Sequence, residues 1–335
     1  MKNWLIMLLC ALLFPVSCGL CETSAETQNA ILEEDVFIGD PALPGALTLP
    51  QDDSSPLPAV VLLHGSGPND RDETIGQTKM FQDLAEGLAR QGIAVLRYDK
   101  RTFVYGSTYT KEDLNTLTVR EEAMNDAVTA AEYLRSDPRI DPDRIYLIGH
   151  SMGAMIAPRI AWENSGLFSG IILLSGTPKT LGEIVLSQNQ ALVDALPASQ
   201  RLIGRLQMRI LRDQWDKLMA LSAEEAKGVQ IFDQPGYYFW EAAQYDTASI
   251  LQNLSLPVLI LNGGADFQII NADGIDAWQS LNLPDSVRIH YFPFFNHLLM
   301  QPDAPKEIHG TVQEYNIPCH VSPDVLSEIT KFIQQ

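Results

Sequence analysis

The stretch that most constrains this chain is Ile145-Tyr-Leu-Ile-Gly-His-Ser-Met-Gly-Ala-Met155. An apolar run of strand length, Ile145 to Ile148, leads into Gly149-His150-Ser151-Met152-Gly153. Small and apolar helix formers (Ala154, Met155, Ile156, Ala157) follow at once. The pentapeptide fits G-x-S-x-G, in which a serine tops a sharp strand-to-helix turn. Such a turn holds the serine backbone in a strained conformation, so that Oγ projects clear of both elements. Glycines two residues to either side leave room for strand and helix to pass closely. Five residues of this composition recur by chance; a strand before them and a helix after them give the motif its weight.

The same strand-then-helix rhythm runs through most of the chain. Residues from about 26 to 34 read as a flexible polar lead-in. Val36-Phe37-Ile38 and Ala46-Leu47-Thr48-Leu49 read as an antiparallel hairpin joined through a Pro/Gly turn. A polar loop from Gln51 to Pro58 precedes Ala59 to Leu63, a continuous apolar run that predicts a strand buried on both faces. Phe81, Leu84, Ala85, Leu88 and Ala89 fall at helical spacing before Gly92, and Ile93 to Tyr98 is the next buried strand. Asp99 opens a long loop carrying Phe103, Tyr105 and Tyr109, and Val119 to Leu134 predicts a second amphipathic helix. Gly170 to Ser175, Val258 to Leu261 and Val287 to Phe292 are further strands; helices are expected over about 272 to 281 and from Pro323. Alternation of this kind predicts a mostly parallel sheet covered by helices on both faces. Between about 180 and 250 it breaks into a helical, charged stretch ending in Tyr237-Tyr238-Phe239-Trp240. That stretch reads as a cap inserted into a single domain spanning 34–335.

A serine is a poor nucleophile at neutral pH and needs a base held by an acid. In a parallel sheet these groups converge where loops leave the carboxyl ends of the strands. Asp266 follows the strand Val258 to Leu261 through Asn262-Gly263-Gly264-Ala265, and His297 follows the last strand in Phe294-Phe295-Asn296-His297. Asp273 and Asp276 are alternatives for the acid, and His309 and His320 for the base. Developing negative charge on a reacting carbonyl oxygen needs two backbone N–H donors. Met152, after the serine, and Ser66, in the loop His64-Gly65-Ser66-Gly67, are the candidates. Asp70, Arg71, Asp72, Asp99 and Arg101 either bind a polar substrate or brace that loop as an ion-pair network. Tyr238 and Trp240 either line a substrate pocket or pack the cap.

The order Ser151, Asp266, His297 is the one found in α/β-hydrolases. Together with His64-Gly-Ser-Gly-Pro-Asn-Asp-Arg-Asp-Glu73, Leu96-Arg-Tyr-Asp-Lys-Arg-Thr102, Gly263-Gly-Ala-Asp266 and Asn296-His297, it makes the chain resemble an α/β-hydrolase of the bacterial secreted esterase type. The resemblance spans roughly residues 60 to 300 and lies close to the dienelactone-hydrolase-like and serine-aminopeptidase-like branches. It implies the α/β-hydrolase fold and a serine carboxylesterase acting on a small-molecule ester through an acyl-enzyme on Ser151, with no cofactor and no metal. A peptidase or acyl-peptide hydrolase shares the same triad, and a non-catalytic binding protein could keep the same fold.

Charge and cysteines bound the partners. With 42 acidic against 23 basic residues the formal net charge is −19, a field that repels nucleic acid and anionic surfaces. Met1-Lys2-Asn3 followed by the apolar run Trp4 to Val16 reads as a secretory signal peptide over residues 1–25. Thr23-Ser24-Ala25 suits a small-x-small cleavage site, whereas Val16-Ser17-Cys18 resembles a lipoprotein box and would attach the chain to a membrane by an N-terminal lipid. Either reading places the mature chain outside the cytoplasm. Cys10, Cys18 and Cys21 lie in or beside this segment, so after cleavage beyond Ala25 Cys319 stands without a disulfide partner. The oligomeric state is not legible.

Overall fold

A computed structural model describes residues 30–51 and 56–335; the targeting segment read over residues 1–25, with its cysteines, lies outside them. Eight strands form one sheet: β1 (Ile31–Ile38), β2 (Leu43–Pro50), β3 (Leu57–Leu63), β4 (Ala94–Tyr98), β5 (Ile140–His150), β6 (Gly170–Leu174), β7 (Val258–Gly263) and β8 (Val287–Phe292). Their spatial order is β1-β2-β4-β3-β5-β6-β7-β8. The β1–β2 and β2–β4 pairings are antiparallel and every later one is parallel. This is the sheet of the α/β-hydrolase fold.

The continuous apolar runs are explained by what they pack against. Alternate residues of each central strand enter two separate cores. Val61, Leu63, Leu147, Leu173 and Ile260 face one side of the sheet, and Val60, Leu62, Ile148, Leu174 and Leu261 the other. The second side is covered by α1 (Met80–Ala89) and by the helix at Pro323–Ile333. The first is covered by α4 (Asn125–Ser136) and α5 (Met152–Glu163), with Leu251 and Trp278 closing it.

Three stretches differ from the sequence expectation. The lead-in is already strand: Ile31 pairs with Pro50 and Leu32 with Leu49. The carboxylates that disguise it are held on its surface, Glu33 by Arg97 at 2.8 Å and Glu34 by Arg139 at 2.8 Å. The loop after Asp99 contains two short helices, α2 (Arg101–Tyr105) and α3 (Lys111–Thr116). The second opens on a capping box in which Thr110 accepts from the Asp113 N–H and the Asp113 carboxylate accepts in return. Helix Val119–Leu134 opens as a π-helical turn, Arg120–Met124, before α4 proper.

From Thr180 the chain leaves the sheet. Helices α6 (Leu181–Ala195), α7 (Ala198–Met219), α8 (Ala223–Ala226), α9 (Gly236–Ala242) and α10 (Thr247–Asn253) occupy the stretch before β7. They have a core of their own, built from Leu186, Val193, Met208, Trp215, Phe232 and Phe239. After β7, α11 is only Ile275–Gln279, shorter than its apolar pattern, and α12 (Pro323–Ile333) starts from a Ser322 cap with Pro323 in its first turn.

Candidate active site

The corner between β5 and α5 has the strain that its sequence demands. Ser151 sits at φ 53°, ψ −115°, a left-handed conformation for a non-glycine residue. Its N–H donates to the Leu174 carbonyl at 2.9 Å and its carbonyl accepts from the Met155 N–H at 3.2 Å, so the strain is held from both sides. The two flanking glycines are required by close approach. A Cβ on Gly149 would lie 2.4 Å from the Gly153 carbonyl, and one on Gly153 would lie 2.2 Å from the Leu63 carbonyl. A methyl group at either position would force strand and helix apart.

His297 is brought to the same edge by the loop after β8. Its Nδ1–H donates to Oδ2 of Asp266 at 2.7 Å, and both side chains are almost fully buried. Asp266 Oδ1 accepts from the Gln268 N–H at 2.7 Å and the Ile269 N–H at 2.8 Å. Three donors thus fix the carboxylate, and Nε2 of His297 has no hydrogen-bond partner among the described residues. The His297 loop is itself clamped: Asn296 Oδ1 accepts from the N–H groups of Leu298 and Met300, and Asn296 Nδ2 donates to buried Glu314 at 3.0 Å. Of the alternative residues, Asp273 is engaged with Lys179 and Ser187, and His320 is exposed and pairs with Asp83 at 2.8 Å.

The loop after β3 stands against Ser151. A side chain on Gly65 would begin 3.2 Å from the Ser151 Cβ. The Gly65 N–H is committed to Oε1 of Glu73 at 2.7 Å, whereas the next N–H, that of Ser66, has no acceptor among the described residues. Met152 is the first residue of α5, where an N–H has no partner within the helix.

The groups beneath this loop carry no signal of their role in the sequence. Lys100, 1% exposed, donates from Nζ to the carbonyls of Gly65 at 2.9 Å and Gly67 at 3.0 Å, and pairs with Oε1 of Glu122 at 2.7 Å. Glu122 Oε2 in turn accepts from the Tyr238 hydroxyl at 2.5 Å, and that hydroxyl lies 3.2 Å from Sδ of Met152. On the other side Glu73 Oε2 is 2.9 Å from Nδ1 of His150, whose Nε2–H donates to the His297 carbonyl at 3.1 Å. A chain of polar contacts therefore runs from the cap, under the glycine loop, to the backbone of His297. Both residues were visible in motifs, Glu73 eight residues after Gly65 and Lys100 just after β4, but only the fold shows what they touch.

Electrostatics follow this geometry. Burial opposes a charge on His150, yet the facing Glu73 carboxylate raises its pKa. Burial likewise opposes a charge on Glu73, but His150 and the Gly65 N–H hold its carboxyl below the ordinary range. Each thus favours the charged form of the other. Burial lowers His64 to about 4, so it is neutral; it donates from Nε2 to the Asp70 carbonyl at 3.0 Å. Burial and the Glu122 charge raise Tyr238 well above its ordinary value, which keeps its hydroxyl a donor.

The ionic residues in and around the glycine loop are paired, Arg71 with Asp99 and Asp35, Asp72 with Lys79 and Arg97, and Arg101 with Asp126. Of the two candidate pocket residues, Tyr238 reaches the elbow through Met152. Trp240 lies within the cap, its Nε1–H donating to the Leu221 carbonyl at 3.0 Å and its ring stacked on Tyr237.

A family model described as serine aminopeptidase, S33, matches residues 54–303. Esterase EstD of Thermotoga maritima is 35% identical over 302 residues, an alignment covering 90% of this chain and 67% of that protein. Among solved structures, an esterase from Pyrococcus furiosus superposes with a TM-score of 0.53 at 13% identity, covering 94% of this chain and 95% of the other. The acylaminoacyl peptidase of Pyrococcus horikoshii does so with a TM-score of 0.53 at 15% identity, covering 92% of this chain and 42% of its own. The two superpositions speak for the fold alone.

Proposed function

The chain belongs to the serine aminopeptidase S33 family of α/β-hydrolases, and from that membership and its site we propose that it is a serine carboxylesterase working through a Ser151–His297–Asp266 triad. The observation that carries this reading is the 2.7 Å His297–Asp266 hydrogen bond on the same sheet edge as a serine at φ 53°. Asp266 fixes the tautomer in which Nδ1 carries the proton, so Nε2 accepts the proton of Ser151 Oγ as it attacks the ester carbonyl. The oxyanion is held by the N–H groups of Ser66 and Met152. Nε2–H then protonates the departing alcohol, and water attacks the acyl-enzyme with His297 again as base. EstD, named an esterase, supports the ester over other acyl substrates.

Hydrolysis of p-nitrophenyl butyrate tests this, together with labelling by a fluorophosphonate. Ser151→Ala is expected to abolish both; a variant with full turnover would remove Ser151 from the mechanism. The family description favours amide hydrolysis as a second reading. Turnover of aminoacyl p-nitroanilides faster than of esters would establish that alternative. The N-terminal segment supports an extracytoplasmic site of action, tested by fractionating cells that express the full chain.

A further inference from the structure

Helix α7 turns one face inward and leaves another uncovered. Gly204, Met208, Trp215 and Leu218 are buried in the cap. Gly204 packs on Val193 of α6, where an added Cβ would lie 2.8 Å from a Val193 methyl. On its outer face Leu202 is 79% exposed, Ile203 64%, Leu206 59% and Ile210 51%. At about 100° per residue these four fall within one arc of about 100°. Isolated exposed leucines are ordinary, but a contiguous ridge of four branched side chains marks a surface built to be covered.

What covers it is indicated by charge. Arg201, Arg205, Arg209 and Arg212 run along the same helix in an arc of about 80° beside the ridge. No acid occurs between residues 198 and 212, in a chain whose net charge is −19. Among the described residues none of these four arginines joins an ion pair. Arg201 donates to the Leu196 carbonyl at 2.9 Å and Arg212 to Gln190 at 3.3 Å. Arg205, Arg209 and Arg212 line an open cleft of about 350 Å³, which Asp213 and Asp216 also line. An apolar ridge flanked by unpaired arginines fits the boundary between headgroups and acyl chains of an anionic bilayer. A second copy fits less well, since two-fold antiparallel pairing of the ridge would set one arginine row beside the other. A nucleic-acid backbone would leave the ridge in water. Repulsion from the remaining acids is screened over about 8 Å at physiological salt, so the local patch decides the contact.

We propose that the outer face of α7 docks on an anionic phospholipid surface, with Leu202, Ile203, Leu206 and Ile210 entering the interface and Arg201, Arg205, Arg209 and Arg212 holding lipid phosphates. The docking is independent of the ester chemistry. The test is co-sedimentation of the full chain with vesicles of phosphatidylglycerol and phosphatidylcholine, against vesicles of phosphatidylcholine alone. Each arginine near such a surface contributes about fivefold in affinity. Arg205→Glu/Arg209→Glu is therefore expected to bind the anionic vesicles at least about tenfold more weakly. Leu206→Glu/Ile210→Glu should be weakened similarly, and the parent chain should be released by raising salt. Any N-terminal anchor is common to parent and variants, so the difference reports α7. Three outcomes each overturn the proposal: variants that bind like the parent, equal binding to phosphatidylcholine alone, or a parent dimer at micromolar concentration that Leu206→Glu/Ile210→Glu dissociates. The last would assign the ridge to a second copy.

Discussion

Glu73 and His150 face each other 2.9 Å apart, both side chains 2% exposed, one holding the glycine loop and the other the backbone of His297. Neither touches the reacting atoms in the mechanism proposed above. They act by position, tying the loop that carries the Ser66 N–H to the loop that carries His297. Removing one partner of a buried pair strands the other, at a cost of about 3–5 kcal/mol. Glu73→Ala should therefore lower stability by about that amount in urea unfolding. It should also lower kcat toward the 10²–10³-fold loss of an oxyanion donor, about tenfold or more, because the Gly65 N–H loses its anchor. Unchanged kcat in a folded Glu73→Ala chain would reduce the pair to a packing role.

The same pair sets a pH window. The Glu73 carboxyl is held below its ordinary 4.5, so its contribution to stability is present above that pH and is lost as pH falls through the lowered value. His150 is raised above 6.5, so its contribution is present below 6.5 and is lost as pH rises through the raised value. The pair stabilises most between pH 4.5 and 6.5. His150→Gln should thus be most destabilising within that window and less so at about pH 9. Urea unfolding of parent and variant at both pH values checks this, and an equal difference at both would refute it.

His64 acts in the opposite sense. Its folded pKa, about 4, lies below the ordinary 6.5, so the unfolded chain takes up the proton first as pH falls. The residue destabilises the fold progressively between pH 6.5 and 4, by on the order of 3 kcal/mol at the lower end. His64→Gln, which keeps a donor for the Asp70 carbonyl, should lose less stability over that range than the parent. Parallel acid slopes in the two proteins would show that His64 does not govern acid unfolding.

Much of this was legible before the fold was known, and for identifiable reasons. Runs such as Ala59–Leu63 and Gly170–Leu174 read as central strands because both faces are buried, and the strand-to-helix corner at Ser151 is legible because Gly149 and Gly153 have no room for a side chain. What escaped was long-range. β1 is hidden by carboxylates whose partners, Arg97 and Arg139, lie more than sixty residues away. Lys100 and Glu122 look like surface charges in sequence and become a buried pair only when β4 and the turn before α4 meet beneath the glycine loop. Pairwise charge compensation has no periodicity, so nothing local announces it.

The orientation of His297 makes a sharper test of the triad than removal of the serine. Asp266→Asn preserves shape, but an amide that turns its NH₂ toward Nδ1 favours the wrong imidazole tautomer. In other serine hydrolases such a change lowers kcat by about 10⁴, and a similar loss is expected here without a large change in KM. Asp273→Asn, at the alternative acid, should leave kcat within about threefold. The reverse result would move the acid to Asp273.

Tyr238 decides whether the cap talks to the chemistry or only to the substrate. Its hydroxyl donates to Glu122, which pairs with Lys100, which holds the carbonyls of Gly65 and Gly67. Tyr238→Phe removes one donor from a buried carboxylate and should cost about 1–3 kcal/mol of stability. If the residue works through this chain, kcat should fall about 3–10-fold with KM nearly unchanged, because the glycine loop is loosened in the transition state and substrate contacts are kept. A double-mutant cycle with Lys100→Met should then show coupling of about 0.5–3 kcal/mol, since both residues act on one carboxylate. If Tyr238 lines the substrate pocket, KM should rise while kcat holds, and the cycle should be additive. The 2.5 Å contact with Glu122 favours the first outcome.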